Sequence, residues 1–115
     1  SLSRTVFTDQ AQNGTAGQRQ ALMRRLQQHP PAIAMNTPYL RHHHIVALLQ
    51  CGLREEAVAE IKAYWGAMVT YGADTFWEIF DPQHPDFSPY GSKLINSYCH
   101  AWSCTPAWFI RQYGL

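Results

Sequence analysis

At 115 residues the chain is long enough for one compact domain and short for two. Its 46% apolar and 13% aromatic content is full, but only 15% of residues are charged against about 25% in an ordinary soluble domain, so part of the surface is expected to be covered. Nine Lys and Arg against eight Asp and Glu, with no basic stripe, argue against nucleic acid as a partner, and no apolar run nears the ~20 residues that span a bilayer, so no membrane is expected either.

The first dozen residues carry a short apolar patch, Val6 and Phe7, among polar neighbours and read as weakly helical up to the turn signal Asn13-Gly14. No charged segment with a following apolar run opens the chain, and a start at Ser1 suits a fragment or an excised mature form; the compartment stays open. Thr15 is a candidate N-cap for an amphipathic helix over residues 18–28, with Leu22, Met23 and Leu26 on one side and Arg19, Arg24 and Arg25 elsewhere. Pro30-Pro31 is expected to stop it.

Thr37 and Pro38 form a cleaner start, because the threonine can accept from a first-turn amide and proline at the first helical position loses no bond. That helix is predicted to run to about Cys51, with Gly52 as its left-handed end. Ile45, Val46, Ala47, Leu48 and Leu49 are apolar around the whole cylinder, which predicts an enclosed, inner helix. After a very short turn, residues 54–71 form an outer helix, with Glu55 and Glu56 suited to its N-terminal dipole and a stripe of Val58, Ile61, Trp65 and Met68. So short a connection makes residues 37–71 an antiparallel αα-hairpin.

The helix ends at Gly72, and Glu78 follows beside Phe76, Trp77 and Phe80. Aromatic company strips water from a carboxylate, so the expectation is a pKa raised toward neutrality, as suits a group that trades protons. Residues 81–92 hold Pro82, Pro85, Pro89 and Gly91 and make a long loop, and residues 93–113 read as helical and aromatic, with Pro106 at a start or a kink. No repeat recurs at a fixed period.

Three groups of residues could carry chemistry. Asp74 and Glu78, four apart, would share a face of a helical turn, although two acids on one turn sit too close to flank a sugar ring at the roughly 6.5–9.5 Å that inverting hydrolysis needs; the plainer role for Asp74 is a cap. Cys51, Cys99 and Cys104 are an odd number and imply no disulfide framework, and His42, His43 and His44 fan out by about 100° each around a helix, so no metal is expected and the thiols are expected to be buried. The aromatic residues of the second half are mostly core, with a minority able to offer ring faces to a sugar in the company of Glu78 and His100.

The runs NTPYLRHHHIVALLQCGLREEA, YWGAMVTYGADTFWEIFDP and SYCHAWSCTPAWFI, in that order, resemble the C-terminal part of the catalytic domain of family 78 glycoside hydrolases, the α-L-rhamnosidases. The resemblance covers roughly residues 35–115; the first 17 match poorly. It implies an all-α fold, antiparallel helical hairpins forming part of an (α/α)6 toroid, so that residues 1–115 would be a single partial domain. It also implies inverting hydrolysis of terminal α-L-rhamnosides without a metal or other cofactor. Glu78, in GADTFWE, falls at the position of the general base, with Trp77 beside it. His100, in CHAWS, falls at that of a histidine contacting the rhamnose, with Trp102 as its neighbour, and the resemblance places His100 on an inner helix returning to the barrel. The family's general acid sits in an Asp- and Arg-rich motif that this chain does not contain. The isolated chain is therefore expected to be inactive, with its uncovered helices met by the remainder of a toroid or by self-association.

Two other readings remain from the residues. ALLQCGLREEAVAEIKAYW looks like one unit of a helical-repeat scaffold, but a solenoid needs several and one is present. The same aromatic surface with His100 would also suit sugar binding without catalysis.

Overall fold

A computed structural model of the chain describes residues 14–29 and 35–115. The weak helix expected over the first dozen residues, the Asn13 half of the turn signal and the Pro30-Pro31 stop lie outside the described residues. Four α-helices are present among them: α1 (Ala16–Gln28), α2 (Pro38–Gln50), α3 (Arg54–Thr70) and α4 (Thr105–Tyr113). Two 3-10 turns, Lys93–Ile95 and Ala101–Ser103, lie between α3 and α4, and the described residues contain no strand. Nor is any described helix long and apolar enough to cross a membrane.

Helix α1 begins earlier than its apolar pattern because Thr15 closes a capping box: its hydroxyl accepts from the Gln18 N–H at 3.2 Å and its own N–H donates to the Gln18 side chain at 2.9 Å. Met23 is fully buried, Leu22 and Leu26 partly, and the Gln20 amide donates to the Cys51 carbonyl at 2.9 Å. This fastens α1 to the turn joining α2 and α3.

The hairpin follows its local signals. Thr37 accepts from the Leu40 N–H at 3.2 Å with Pro38 opening α2. At the far end Gly52 adopts φ +77°, its N–H donates to Leu49, and the Leu53 N–H reaches back to Leu48, which satisfies carbonyls that a helix end leaves open. Gly72 closes α3 in the same way at φ +113°, with its N–H on Val69 and that of Ala73 on Met68. His44, Ile45, Ala47 and Leu48 are buried and Val46 and Leu49 partly so, as an enclosed helix requires. The buried face of α3 differs from the expected stripe: it consists of Ala57, Tyr64, Trp65 and Met68, while Val58 and Ile61 are half-buried. Tyr64 can turn inward because its hydroxyl finds the Phe80 carbonyl at 2.7 Å, so burial leaves no polar group unpaired.

The helical reading of residues 93–113 is corrected over its first half, while Pro106 marks a helix start as expected. Ser92 caps one 3-10 turn, residues 96–100 are irregular, a second 3-10 turn follows, and α4 begins at Thr105 with Pro106 in its first turn, where a missing N–H costs nothing. Phe109 is fully buried, and Arg54 at the start of α3 donates to the carbonyls of Tyr113 and Gly114 at 2.9 and 2.7 Å. The long loop over residues 81–92 is irregular, as its prolines dictate.

Candidate active site

Beyond Gly72 the chain leaves α3 in an irregular path, so residues 74–78 form no helical turn. This path is cross-linked to the irregular segment ahead of the second 3-10 turn. The Glu78 N–H donates to Ser97 at 2.9 Å, the His100 N–H donates to Phe76 at 2.8 Å, and the Thr75 hydroxyl donates to the Tyr98 carbonyl. Adjacent side chains of α3 anchor both partners: Tyr64 holds the Phe80 carbonyl, and the Trp65 indole N–H donates to Ser103 at 3.0 Å. Phe80 in turn donates to the Asn36 carbonyl at 3.0 Å, which ties the path to the foot of α2.

These ties open a cavity of about 300 Å³ lined by Thr37, Tyr39, Glu78, His100, Trp102 and Ser103. Trp102 is 67% exposed, with its ring 5.6 Å from that of Tyr39 and 6.1 Å from the His100 imidazole. Glu78 thus faces a space that an imidazole and two aromatic rings also border. His100 reaches it from the cap of a 3-10 turn rather than from a returning inner helix, which corrects that expectation. Trp77 does not line the cavity. Its ring is half-buried among Tyr71, Phe80 and Tyr98, at 6.2, 5.9 and 5.2 Å.

The Glu78 carboxylate is met by donors, not by rings. Oε2 accepts from the Ser97 N–H at 3.1 Å and Oε1 from the Tyr90 hydroxyl at 2.9 Å. The Ser97 amide holds its pKa below the usual glutamate range against an upward push from burial, with lesser help from the Tyr90 hydroxyl and the His100 field. The expected rise is therefore overturned: Trp77 and Phe80 turn toward the core and leave the carboxylate to its hydrogen bonds. At neutral pH it is ionised, an acceptor for a proton rather than a donor of one.

Asp74 borders a separate cavity of about 130 Å³ with Trp65, Met68 and Phe76, so the two acids do not work as a couple. Sequence reasoning missed Tyr39, Tyr90 and Ser97. For Tyr90 the signal was the long loop beside the glutamate; for Tyr39 it was only a place in the first turn after Thr37-Pro38. No pattern marked the Ser97 amide, since a backbone N–H has no side-chain signature.

The three histidines diverge as their spacing demands. His42 stacks on Phe109 at 5.0 Å, His43 meets Tyr39 edge-on at 4.8 Å, and His44 is buried; burial holds both His42 and His44 below the usual imidazole range. Among the described residues no group of three or more His, Cys, Asp or Glu could hold a metal ion. All three cysteines are free, and the expectation of buried thiols holds for Cys51 alone, since Cys99 and Cys104 are exposed.

Neither a family model nor a curated relative matches the chain. Among solved structures, a rhamnosidase from Klebsiella oxytoca with rhamnose bound matches with 83% identity and a TM-score of 0.83, over 89% of this chain and 20% of that one. The chain is closely similar to a segment of a rhamnosidase. The resemblance carried by the three sequence runs holds, and the all-helical chain fits part of an α/α toroid, spanning one fifth of the rhamnosidase it matches. In this rhamnosidase-like segment Glu78, His100 and Trp102 share one cavity, and the Trp77 ring packs outside its lining against Tyr98.

Proposed function

We propose that the chain carries the base half of an inverting rhamnoside-hydrolysing site. The observation that supports this reading is the shared cavity: an ionised, doubly hydrogen-bonded Glu78 borders it together with His100 and the exposed ring of Trp102. In the reaction, water attacks the anomeric carbon and gives its proton to the Glu78 carboxylate while the glycosidic C–O bond breaks. His100 and Trp102 hold the sugar, one by hydrogen bonding and the other by its apolar face, while Trp77, packed among Tyr71, Phe80 and Tyr98, keeps the chain next to Glu78 in place. The leaving oxygen needs a proton from an acid. Among the described residues Glu78 is the acidic residue of the cavity lining, Asp74 borders another cavity, Asp81 is engaged with Gln83 and His84, and Asp86 pairs with Lys93 at 2.6 Å, so the proton donor is assigned to the remainder of a complete enzyme. The same arrangement accounts for the exposure of Val69, Leu94, Ile95 and Ile110, which neighbouring helices of a toroid, or a second copy, would cover.

The test is a graft in which residues of this chain replace the matching fifth of the Klebsiella oxytoca rhamnosidase. Glu78→Gln in that graft should lower kcat on rhamnosides by about 10²–10⁴-fold with little change in KM, the usual yield of a general base. Undiminished turnover would remove Glu78 from the role. Binding without catalysis is favoured by one observation, the 67% exposure of Trp102 beside His100. Rhamnose titrated into the isolated chain should then change its tryptophan fluorescence, whereas a helical-repeat scaffold would give no response.

A further inference from the structure

The loop over residues 81–92 is tied down at successive points. Asp81 accepts from the Gln83 N–H at 2.9 Å, and Asp86 is held by the Lys93 ammonium at 2.6 Å and approached by the Tyr71 hydroxyl at 3.5 Å. The Ser88 hydroxyl donates to the Asn96 side chain at 2.7 Å and accepts the Tyr90 N–H at 3.2 Å. Asn96 adjoins Ser97. The two donors that meet Glu78 therefore ride on backbone that is itself linked, and each occupies a different carboxylate oxygen.

We propose that Tyr90 is a positioning residue, fixing the plane of the Glu78 carboxylate on the cavity wall from outside the cavity lining. A carboxylate held at one oxygen can still swing about its last torsion; one held at both cannot, and its remaining lone pairs keep a constant direction toward the cavity. An incoming water then meets an acceptor already aligned, which removes a reorganisation step from proton transfer. The carboxylate in turn pushes the Tyr90 pKa up, so the phenol stays protonated and remains a donor. Tyr90 does not border the cavity, so it acts through Glu78 and not on the sugar. This inference rests on the reading of Glu78 as the base.

Tyr90→Phe removes the hydroxyl and keeps the ring at an exposed site. In the 115-residue chain labelled with carbon-13 at glutamate carboxyls, the Glu78 resonance is assigned by its loss in Glu78→Gln and followed against pH. Its titration midpoint should move upward in Tyr90→Phe, because a donor to the charged form has gone. His100 is the other titratable side chain facing the carboxylate, and its titration is followed in parallel so that its charge does not account for the change. In the rhamnosidase graft, Tyr90→Phe should lower kcat on the order of tenfold with KM held, and should move the acid limb of the kcat/KM profile upward. An unchanged midpoint overturns the proposal. A midpoint that moves while the acid limb stays supports the tether and counts against Glu78 as the base, so the two failures are distinguishable.

Discussion

The hairpin of α2 and α3 and the irregular stretch that follows it solve the same problem by opposite means. In the hairpin, backbone groups are satisfied within a few residues: Thr37 caps the start of α2, and Gly52 and Gly72 end α2 and α3 with paired return bonds. From Gly72 to the start of α4 short turns are joined by bonds between residues distant in sequence, with Tyr64 on Phe80, Trp65 on Ser103, Glu78 on Ser97 and His100 on Phe76. The difference has a chemical use. In a regular helix the Ser97 N–H would be spent on a carbonyl four residues back; in the irregular segment it meets the Glu78 carboxylate. A site that needs a backbone donor aimed at an anion is better built on irregular chain, provided that a rigid neighbour holds that chain in place, and α3 is that neighbour.

The largest effect expected from breaking this division is that of Tyr64→Phe. The ring stays in the core, but the buried Phe80 carbonyl loses its donor, which costs about 1–3 kcal/mol. Denaturant unfolding should show that loss, and rhamnose affinity should fall with it because Phe80 lies two residues from Glu78. A variant as stable as the parent would mean that α3 does not anchor the site. Gly72→Ala should come next. An added Cβ meets no atom within 4 Å, so the penalty is conformational alone, about 1–2 kcal/mol for a left-handed exit by an L side chain. Unchanged stability would show that the path to Glu78 does not depend on that exit.

The same contrast explains what could be read in advance. The Thr15 and Thr37 caps, the glycine ends and the enclosed apolar run of α2 are local, and each stands where residue patterning put it, whereas Asp74 caps no described helix. Trp65 and Met68 of the expected stripe are buried in α3, but Ala57 and Tyr64 take the places of Val58 and Ile61, and Tyr64 is held inward by a carbonyl that lies 16 residues further along. Residues 93–113 contain enough apolar side chains for a helix, yet most of their first half serves the cross-link to Phe76 and Glu78. For Glu78 the neighbours in sequence suggested a dry, aromatic setting, whereas its neighbours in space are an amide and a phenol. The direction of a pKa shift depends on the second set, which no window of sequence contains. Glu78, His100 and Trp102 were found through a motif rather than through periodicity; Tyr39 stands in the first of the three runs without being singled out there, Tyr90 lies in none of them, and both emerge only when the chain is folded.

The smallest expected effect sharpens the comparison from the hairpin side. Helix α1 meets α3 through an ion pair, Arg24 to Glu56 at 3.1 Å, and is held to the rest of the hairpin by the Gln20 tie to Cys51 at the end of α2 and by the buried Met23 in the common core. The Arg24 side chain is about half exposed, so water and salt screen the pair, and holding two long side chains in one geometry costs entropy. Glu56 also does not need its partner. Its own backbone amide, ahead of Arg24, holds its pKa below the usual range, and it sits in the first turn of α3, where the helix dipole favours a negative charge. Arg24→Gln should therefore leave the thermal midpoint unchanged at about 0.15 M salt. A loss as large as that of Tyr64→Phe would mean that charge rather than burial seats α1 on the hairpin, and that long-range polar ties matter as much in the regular half of the molecule as beside Glu78.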